Sequence, residues 1–425
     1  MANSTRPVPG TVHLIDIAGQ ASTGEHASGK TDIVLVPQPS RDPEDPLLWT
    51  SKRKFWALAM VAVYTLGVGI PTTLHYSVLA DITADTGIST TDLVQGNGVM
   101  FLFLGWGCLF WQPIALTYGR RGVYLASQLL TVPIMVWTAY TSSAGEWYAH
   151  RTLIGLIGAP IESLPEMSIP DLFFAHERGT YMGMYVFTLF GSNFIAPLIA
   201  GWFDDAFGWR WTMWFGAIVA AGAFLILFFG MEETMYFREN VEGLVATSPE
   251  ADKVIIRFPN VAWAGFIYGI NLSWYQVMNG TTSPILSAPP YNWSASLVGC
   301  IYVGPIVGAA FGCLWAGTMT DRLALFLARR NSGVREPEQR LWPLALAGLF
   351  SCAGLITWGV GAYHDIHWVG LAFGLGMMVF GVIVGGSIGL SYAVDCFKEI
   401  SGESMASVIV VRNTIGFGFT YAITP

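Results

Sequence analysis

One stretch of the chain sets three ionisable side chains among apolar and small residues. It reads Arg151-Thr-Leu-Ile-Gly155-Leu-Ile-Gly158-Ala-Pro-Ile-Glu162-Ser-Leu-Pro-Glu166. On a straight α-helix at 100° per residue, positions 151 and 162 differ by about 20° modulo a full turn, and Glu166 lies about 40° further round. One helix face would then carry all three, with about 16 Å along the axis between the first two. Pro160 and Pro165 fall inside the segment and are expected to bend it. A carboxyl group in apolar surroundings can carry a proton or pair with a cationic ligand. Glu162 is the candidate for either task, with Arg151 as a fixed charge. The plainer alternative is that both make structural pairs only, and Glu166 is assigned that structural role. His75 is of the type that titrates near neutrality; a hydrogen bond to a neighbour is the alternative there. Asn271 and Tyr275, at i and i+4, would offer hydrogen-bonding groups on one face of a later segment. Arg412 and Asp395 also fall within or at the end of apolar runs.

Composition explains why such residues stand out. The 425 residues are 53% hydrophobic and only 12% charged, against about 25% charged in ordinary soluble domains. The 48 glycines suit helices packed closely within a membrane. The net charge of −8 says little, because charge is segregated by loop; a nucleic-acid partner would want a basic face, and none exists. Cys108, Cys300, Cys313, Cys352 and Cys396 are odd in number and never spaced as CxxC, so they read as small hydrophobes. No metal or cofactor is expected. The 17 Trp read as interfacial belt and core, with a stacking surface for flat or cationic ligands as the alternative.

About 20 apolar residues cross a bilayer, and eleven such stretches are present. They lie near 55–79, 97–116, 122–141, 147–169, 181–203, 210–231, 257–280, 294–317, 341–363, 367–391 and 402–424. Placing the N-terminus in the cytosol puts Lys52, Arg53, Lys54, Arg120, Arg121, Arg178, Arg238, Lys253, Arg257, Arg322, Arg329, Arg330, Arg335, Arg340 and Lys398 in inward loops. Outward loops then hold Arg210 alone, a clean positive-inside pattern. Residues 1–54 lack an apolar core for a signal peptide and read as a disordered cytosolic tail. Six spans (55–231) precede a polar cytosolic loop (232–256) and five follow it (257–425). The expected architecture is therefore an all-α membrane protein of two pseudo-symmetric bundles, six spans plus five, with a twelfth missing from the second half. Gly304, Gly308 and Gly312, and likewise Gly381, Gly385 and Gly389, recur every fourth residue and read as helix-packing stripes.

Several local patterns resemble the major facilitator superfamily, specifically its fungal drug:proton antiporter-like group. Gln112-Pro-Ile-Ala-Leu116-Thr-Tyr-Gly119-Arg120-Arg121 is similar to the end of that family's G-x-x-x-D-R-x-G-R-[RK] loop. Gly317-Thr-Met-Thr-Asp321-Arg322 is similar to its beginning. Gln112 and Leu116 replace the family's Gly and Asp, so the resemblance puts the gating ion pair at Asp321 and Arg322. Arg151 to Ala159 is similar to the R-x-x-x-G-x-x-A helix. Ser192-Asn-Phe-Ile-Ala196-Pro197-Leu-Ile-Ala200-Gly201 looks like the antiporter motif, with alanines for two glycines. Asp171 to Gly179 and Gly208-Trp209-Arg210-Trp211 also look like this group. The resemblance implies a monomeric carrier in the plasma membrane, handling protons and a small organic substrate, with spans one, four, seven and ten around the cavity.

Three readings follow. The leading one is proton-coupled export of drugs or secondary metabolites by alternating access. The second is uptake of polyamine-like organic cations, and the third a truncated, non-transporting product. An enzyme is the least supported class; no H-E-x-x-H pattern occurs. The topology makes a direct prediction. A membrane-impermeant label placed between Thr281 and Asn292 should react in intact cells; reaction only after permeabilisation would invert the orientation.

Overall fold

The computed structural model describes residues 40, 42–236, 259–331, 337–396 and 401–423, with short strand segments at 12–13, 26–27, 30–34 and 334–335. The first half contains α1 (Ser51–Thr73), α2 (Leu79–Thr86), α3 (Thr90–Tyr118) and α4 (Arg120–Ala139). It continues with α5 (Ala144–Gly158), α6 (Pro160–Leu172), α7 (Ala175–Phe207) and α8 (Trp209–Gly230). The second half contains α9 (Pro259–Ser287), α10 (Ala295–Cys300), α11 (Val303–Leu314) and α12 (Thr320–Arg330). It ends with α13 (Leu344–Tyr363), α14 (Trp368–Cys396) and α15 (Ser401–Ile423). One π-helical turn, Trp315–Met319, joins α11 to α12. Two short antiparallel pairs, Val12–His13 with Val334–Arg335 and His26–Ala27 with Lys30–Val34, complete the described elements.

Helices are what an apolar interior dictates, because each backbone group must find its partner within the segment. Their starts carry the local signals: the side chains of Thr50, Ser89 and Ser143 accept backbone N–H groups at the heads of α1, α3 and α5. Gly119 turns the chain from α3 into α4 with φ of 101°, and a Cβ there would also lie 2.7 Å from the Glu233 carboxylate.

Each of the eleven expected segments is predominantly helical over its described residues. Among the described residues, eight helices are long and apolar enough to cross a membrane. The segments outside that set are α5–α6, α9 and α15, and these hold Arg151, Glu162 and Glu166, Asn271 and Asn279, and Arg412 and Asn413. Polarity is concentrated in the helices that build the interior site. The outer surface is the reverse of a soluble protein's, with Phe229 83% and Leu349 69% exposed.

The helices form two bundles, α1–α8 and α9–α15. They meet where α7 packs on α10 and α11, and where α3 packs on α15. Small residues allow both contacts. A Cβ on Gly201 of α7 would lie 2.2 Å from the Ala295 carbonyl, and one on Gly98 of α3 would lie 1.9 Å from the Thr420 hydroxyl.

The expected outer loop Thr281–Asn292 begins later than its sequence indicates, since α9 runs to Ser287. Asn279, which opens the acceptor sequence Asn279-Gly-Thr, is buried and accepts a hydrogen bond from the Tyr302 hydroxyl, so it is not available for glycosylation. Asn292 is exposed, in a turn with φ of 51°.

The first glycine stripe packs on α14. Added Cβ atoms at Gly304 and Gly308 would lie 2.3 and 2.1 Å from the carbonyls of Ala372 and Gly376. Gly381 takes a similar contact from Ser351, at 1.9 Å. Gly308→Val should therefore lower stability by about 1–3 kcal/mol through overpacking. Gly348→Val, at a position with open space beside it, should leave the melting temperature in detergent close to wild type.

Candidate functional site

Between the bundles lies a cavity of about 50 Å³. Its first-half wall comes from Val68, Gly69, Thr72 and Thr73 of α1, Met100, Phe101 and Leu104 of α3, Ile161 and Glu162 of α6, and Leu189, Phe190 and Asn193 of α7. The opposite wall is Tyr268, Leu272 and Tyr275 of α9 and Arg412 of α15. A few waters fill such a volume; drug-sized ligands occupy clefts of about 300–1,000 Å³.

The chemistry of the cavity centres on a pair of opposite charges, one from each bundle. Chain geometry places Glu162: crossing four breaks at Ala159, Pro160 opens α6, and Glu162 falls in the first turn of the new helix. Proline costs no hydrogen bond at that position, and the exposed N–H dipoles there favour a carboxylate. Glu162 makes an ion pair with the Arg412 guanidinium, the two side chains being 8% and 4% exposed. Asn413 Nδ2 donates to Glu162 Oε2 at 2.8 Å, and Arg412 Nη2 donates to Asn413 Oδ1 at 3.1 Å. The guanidinium also lies 4.6 Å from the centre of the Tyr268 ring. Such an arrangement is paired, hydrogen-bonded and removed from water, so losing one member leaves the other exposed to its full desolvation cost.

The helix break also corrects the phase argument. Arg151 and Glu162 do not meet. Arg151 Nη1 donates to the Thr72 carbonyl at 3.2 Å, and its guanidinium lies 4.3 Å from the Trp147 ring centre. Glu166 is buried one turn beyond Glu162, with Oε2 lacking a hydrogen-bond partner. His75 is buried against Tyr76 and Trp147 and does not line the cavity. Asn271 points away from it, donating to the Ile267 carbonyl at 2.9 Å and accepting from Ser351 at 2.9 Å. Tyr275 does line it, with a buried hydroxyl lacking a partner. The Asp395 side chain lies outside the described residues. Among the described residues the cavity wall uses crossings one, two, four, five, seven and eleven; α14, crossing ten, stands behind.

Tyr268, Asn413 and Asn193 were not anticipated. Tyr268 shares a helix face with Tyr275 at i and i+7, and Asn413 adjoins Arg412; both signals were present but indistinguishable from ordinary helix polarity.

The loop motifs differ from expectation too. In the first copy, Arg120 pairs with Asp171 at the end of α6, at 2.7 Å. Glu233 accepts from the backbone N–H groups of Arg120 and Arg121, at 3.1 and 3.0 Å. Substitution of the family's Asp by Leu116 thus leaves the loop with carboxylates from elsewhere. In the second copy Asp321 pairs with Arg340 at 3.1 Å, and Arg322 is exposed. A Cβ on Gly179 of α7 would lie 2.1 Å from Asp321, so Asp321 abuts the opposite bundle. Within the antiporter-like motif, Ser192 abuts Gly69 of α1, the Pro197 carbonyl faces Gly299 of α10, and Gly201 faces Ala295; Ala196 and Ala200 are fully buried. Pro197 and Gly201 thus lie on the seam between bundles, while Ser192 packs within the first bundle.

Two enzyme-like spacings occur, and neither has the context its chemistry needs. Gly24 to Thr31 fits GxxxxGK[ST], but Lys30 opens a β-strand, Lys30–Val34, where a phosphate-binding loop requires a helix N-terminus. Gly385-Gly-Ser387-Ile-Gly389 fits GxSxG but lies inside the continuous helix α14, without a strand-to-helix turn.

Two helical bundles with a charged contact between them, eight helices among the described residues being long and apolar enough to cross a membrane, are the architecture of a multi-pass membrane transporter. Residues 56–425 match the profile of the Major Facilitator Superfamily, and the chain belongs to that superfamily. It is 28% identical to an uncharacterized MFS-type transporter of Schizosaccharomyces pombe, covering 98% of this chain and 86% of that protein. It is 28% identical to the MFS-type transporter penM of Penicillium rubens (88% and 79% covered) and 22% identical to the efflux pump vrtL of Penicillium aethiopicum (94% and 87%). Among solved structures, a bacterial homolog of the human lysosomal transporter Spinster shares the fold with a TM-score of 0.63 at 16% identity, covering 88% and 82%.

The pair predicts a non-additive stability series. Glu162→Gln should cost about 3 kcal/mol by leaving Arg412 buried without its counter-charge. Combining it with Arg412→Met should recover part of that loss. Melting temperatures of the two single variants and the double variant in detergent would show it.

Proposed function

We propose that the chain is a secondary carrier of the plasma membrane, with its N-terminus in the cytosol, which exports small organic molecules in exchange for protons. The observation that carries this reading is the Glu162–Arg412 pair bridging the bundles across the cavity. Protonation of Glu162 removes one charge of the pair and weakens the contact between α6 and α15. A proton can thereby bias one arrangement of the bundles over the other by its differential interaction with them. The seams at both ends of α7 and the small cavity fit a closed intermediate between states open to opposite sides. The efflux pump among the relatives supports export. Asp321, held by Arg340 and abutting Gly179 of the other bundle, would serve as a latch at the cytosolic end, while Arg120–Asp171 ties α4 to α6 within the first bundle.

A second reading, uptake of an organic cation, draws on a different observation. Glu162 and Glu166 both lie near Arg412, leaving one carboxylate in excess of the guanidinium. Substrate accumulation in whole cells, set against extrusion, separates the two directions.

Proton-gradient-driven uptake of labelled candidate substrates into everted vesicles should collapse on addition of a proton uncoupler. Glu162→Gln should retain substrate binding while losing the dependence of transport on the proton gradient, because glutamine keeps the hydrogen-bonding shape and cannot titrate. Unchanged gradient dependence in that variant would remove Glu162 from the coupling mechanism.

A further inference from the structure

We infer that Arg151 is an anion-binding site, suited to the carboxylate end of a transported organic acid or to a small inorganic anion. Three buried arginines can be compared. Arg412 faces Glu162, and Arg120 faces Asp171. Arg151 is 2% exposed and has no carboxylate among its described partners. It meets the Thr72 carbonyl at 3.2 Å, the Met100 sulfur at 3.8 Å and the Trp147 ring, while its Nε has no hydrogen-bond partner.

The other titratable groups acting on it do not supply a negative charge. His75 and His150 would each add positive charge if protonated, and Tyr76 is a buried phenol. A guanidinium placed in a membrane interior ordinarily pairs or lines a pathway, because an uncompensated charge there is costly. Arg151 is positioned for the second role. Thr72 and Met100, its two non-aromatic contacts, are themselves wall residues of the central cavity, so the guanidinium sits one residue behind that wall. A modest shift of α1 against α3 would open it to whatever occupies the cavity. The fork of N–H donors then matches a carboxylate, and a halide would satisfy the same donors less directionally.

The organic-acid assignment rests on the carrier reading above; the anion site itself does not. The test is correspondingly an equilibrium one, made on the full chain purified in detergent with no gradient. Wild type, Arg151→Met and Arg151→Lys are each titrated with sodium chloride and with sodium acetate, and the melting temperature is followed. Ionic strength acts on all three alike, so the site is read from the saturable difference between them. Wild type is expected to gain about 2 °C over Arg151→Met at saturation, with Arg151→Lys in between. A response to acetate supports a carboxylate ligand. A response to chloride alone supports a bound inorganic ion. Equal responses in wild type and Arg151→Met would overturn the proposal and leave Arg151 as a structural cation held by Thr72 and Trp147. If Arg151→Met does not fold, the comparison of wild type with Arg151→Lys decides, and a wild-type melting temperature insensitive to both salts also overturns it.

Discussion

The contact of Glu162 with Arg412 is the constraint on which the rest of the interior depends. A carboxylate and a guanidinium can be kept from water only if each has the other and if the remaining hydrogen-bonding groups find partners. Asn413 supplies those partners by bonding both residues at once, and the Tyr268 ring covers the guanidinium. Each requirement then reaches outward into the helices. Asn413 can stand where it does because Gly105 of α3 leaves room; a Cβ there would come within 2.7 Å of it. Glu162 reaches the pair because α5 ends at Gly158 and α6 begins at Pro160. Crossing four is bent for the sake of one carboxylate.

The two ends of the molecule are organised differently from its centre. At one of them α7 meets α10 almost backbone to backbone, with Gly201 against the Ala295 carbonyl and Gly299 against the Pro197 carbonyl. Van der Waals packing of this kind has a short range and forfeits much of its energy over a small gap. Contacts that are dense when formed and negligible once parted suit two bundles that must separate at one end while staying joined at the other. The ion pairs Arg120–Asp171 and Asp321–Arg340 act over a longer range and sit at the same end, which distinguishes it from the end holding Arg210 and Asp85.

Much of this was legible in the residues. Apolar length located the crossings, and small-residue spacing located stripes such as Gly304 and Gly308 that do meet another helix. Glu162 and Arg412 could each be singled out because a charge within an apolar run has few inexpensive explanations. Their pairing could not, since they are 250 positions apart and no local periodicity links crossing four to crossing eleven. The same limit misplaced Asn271. At i and i+4 it neighbours Tyr275 on the helix surface, but Ser351 of a neighbouring helix donates to its amide oxygen. The loop motifs misled for a different reason. Leu116 removes the acid from the loop, and Asp171 supplies the carboxylate to Arg120 from another helix.

The π turn at Trp315–Met319 carries a consequence of its own. Such a turn holds one residue more than an α-helical turn, so α12 runs out of phase with α11 by one position. The glycines that face α14 and the aspartate that meets both Gly179 of α7 and Arg340 therefore belong to two different helical registers, spliced within the π turn. The splice lets Gly312 lie against Ile383 of α14 while Asp321 lies against Gly179 of the other bundle. A single continuous α-helix drawn through the same residues would turn the aspartate by about 100°. The extra residue is thus a phase correction that lets one helix answer to two neighbours whose positions are set independently.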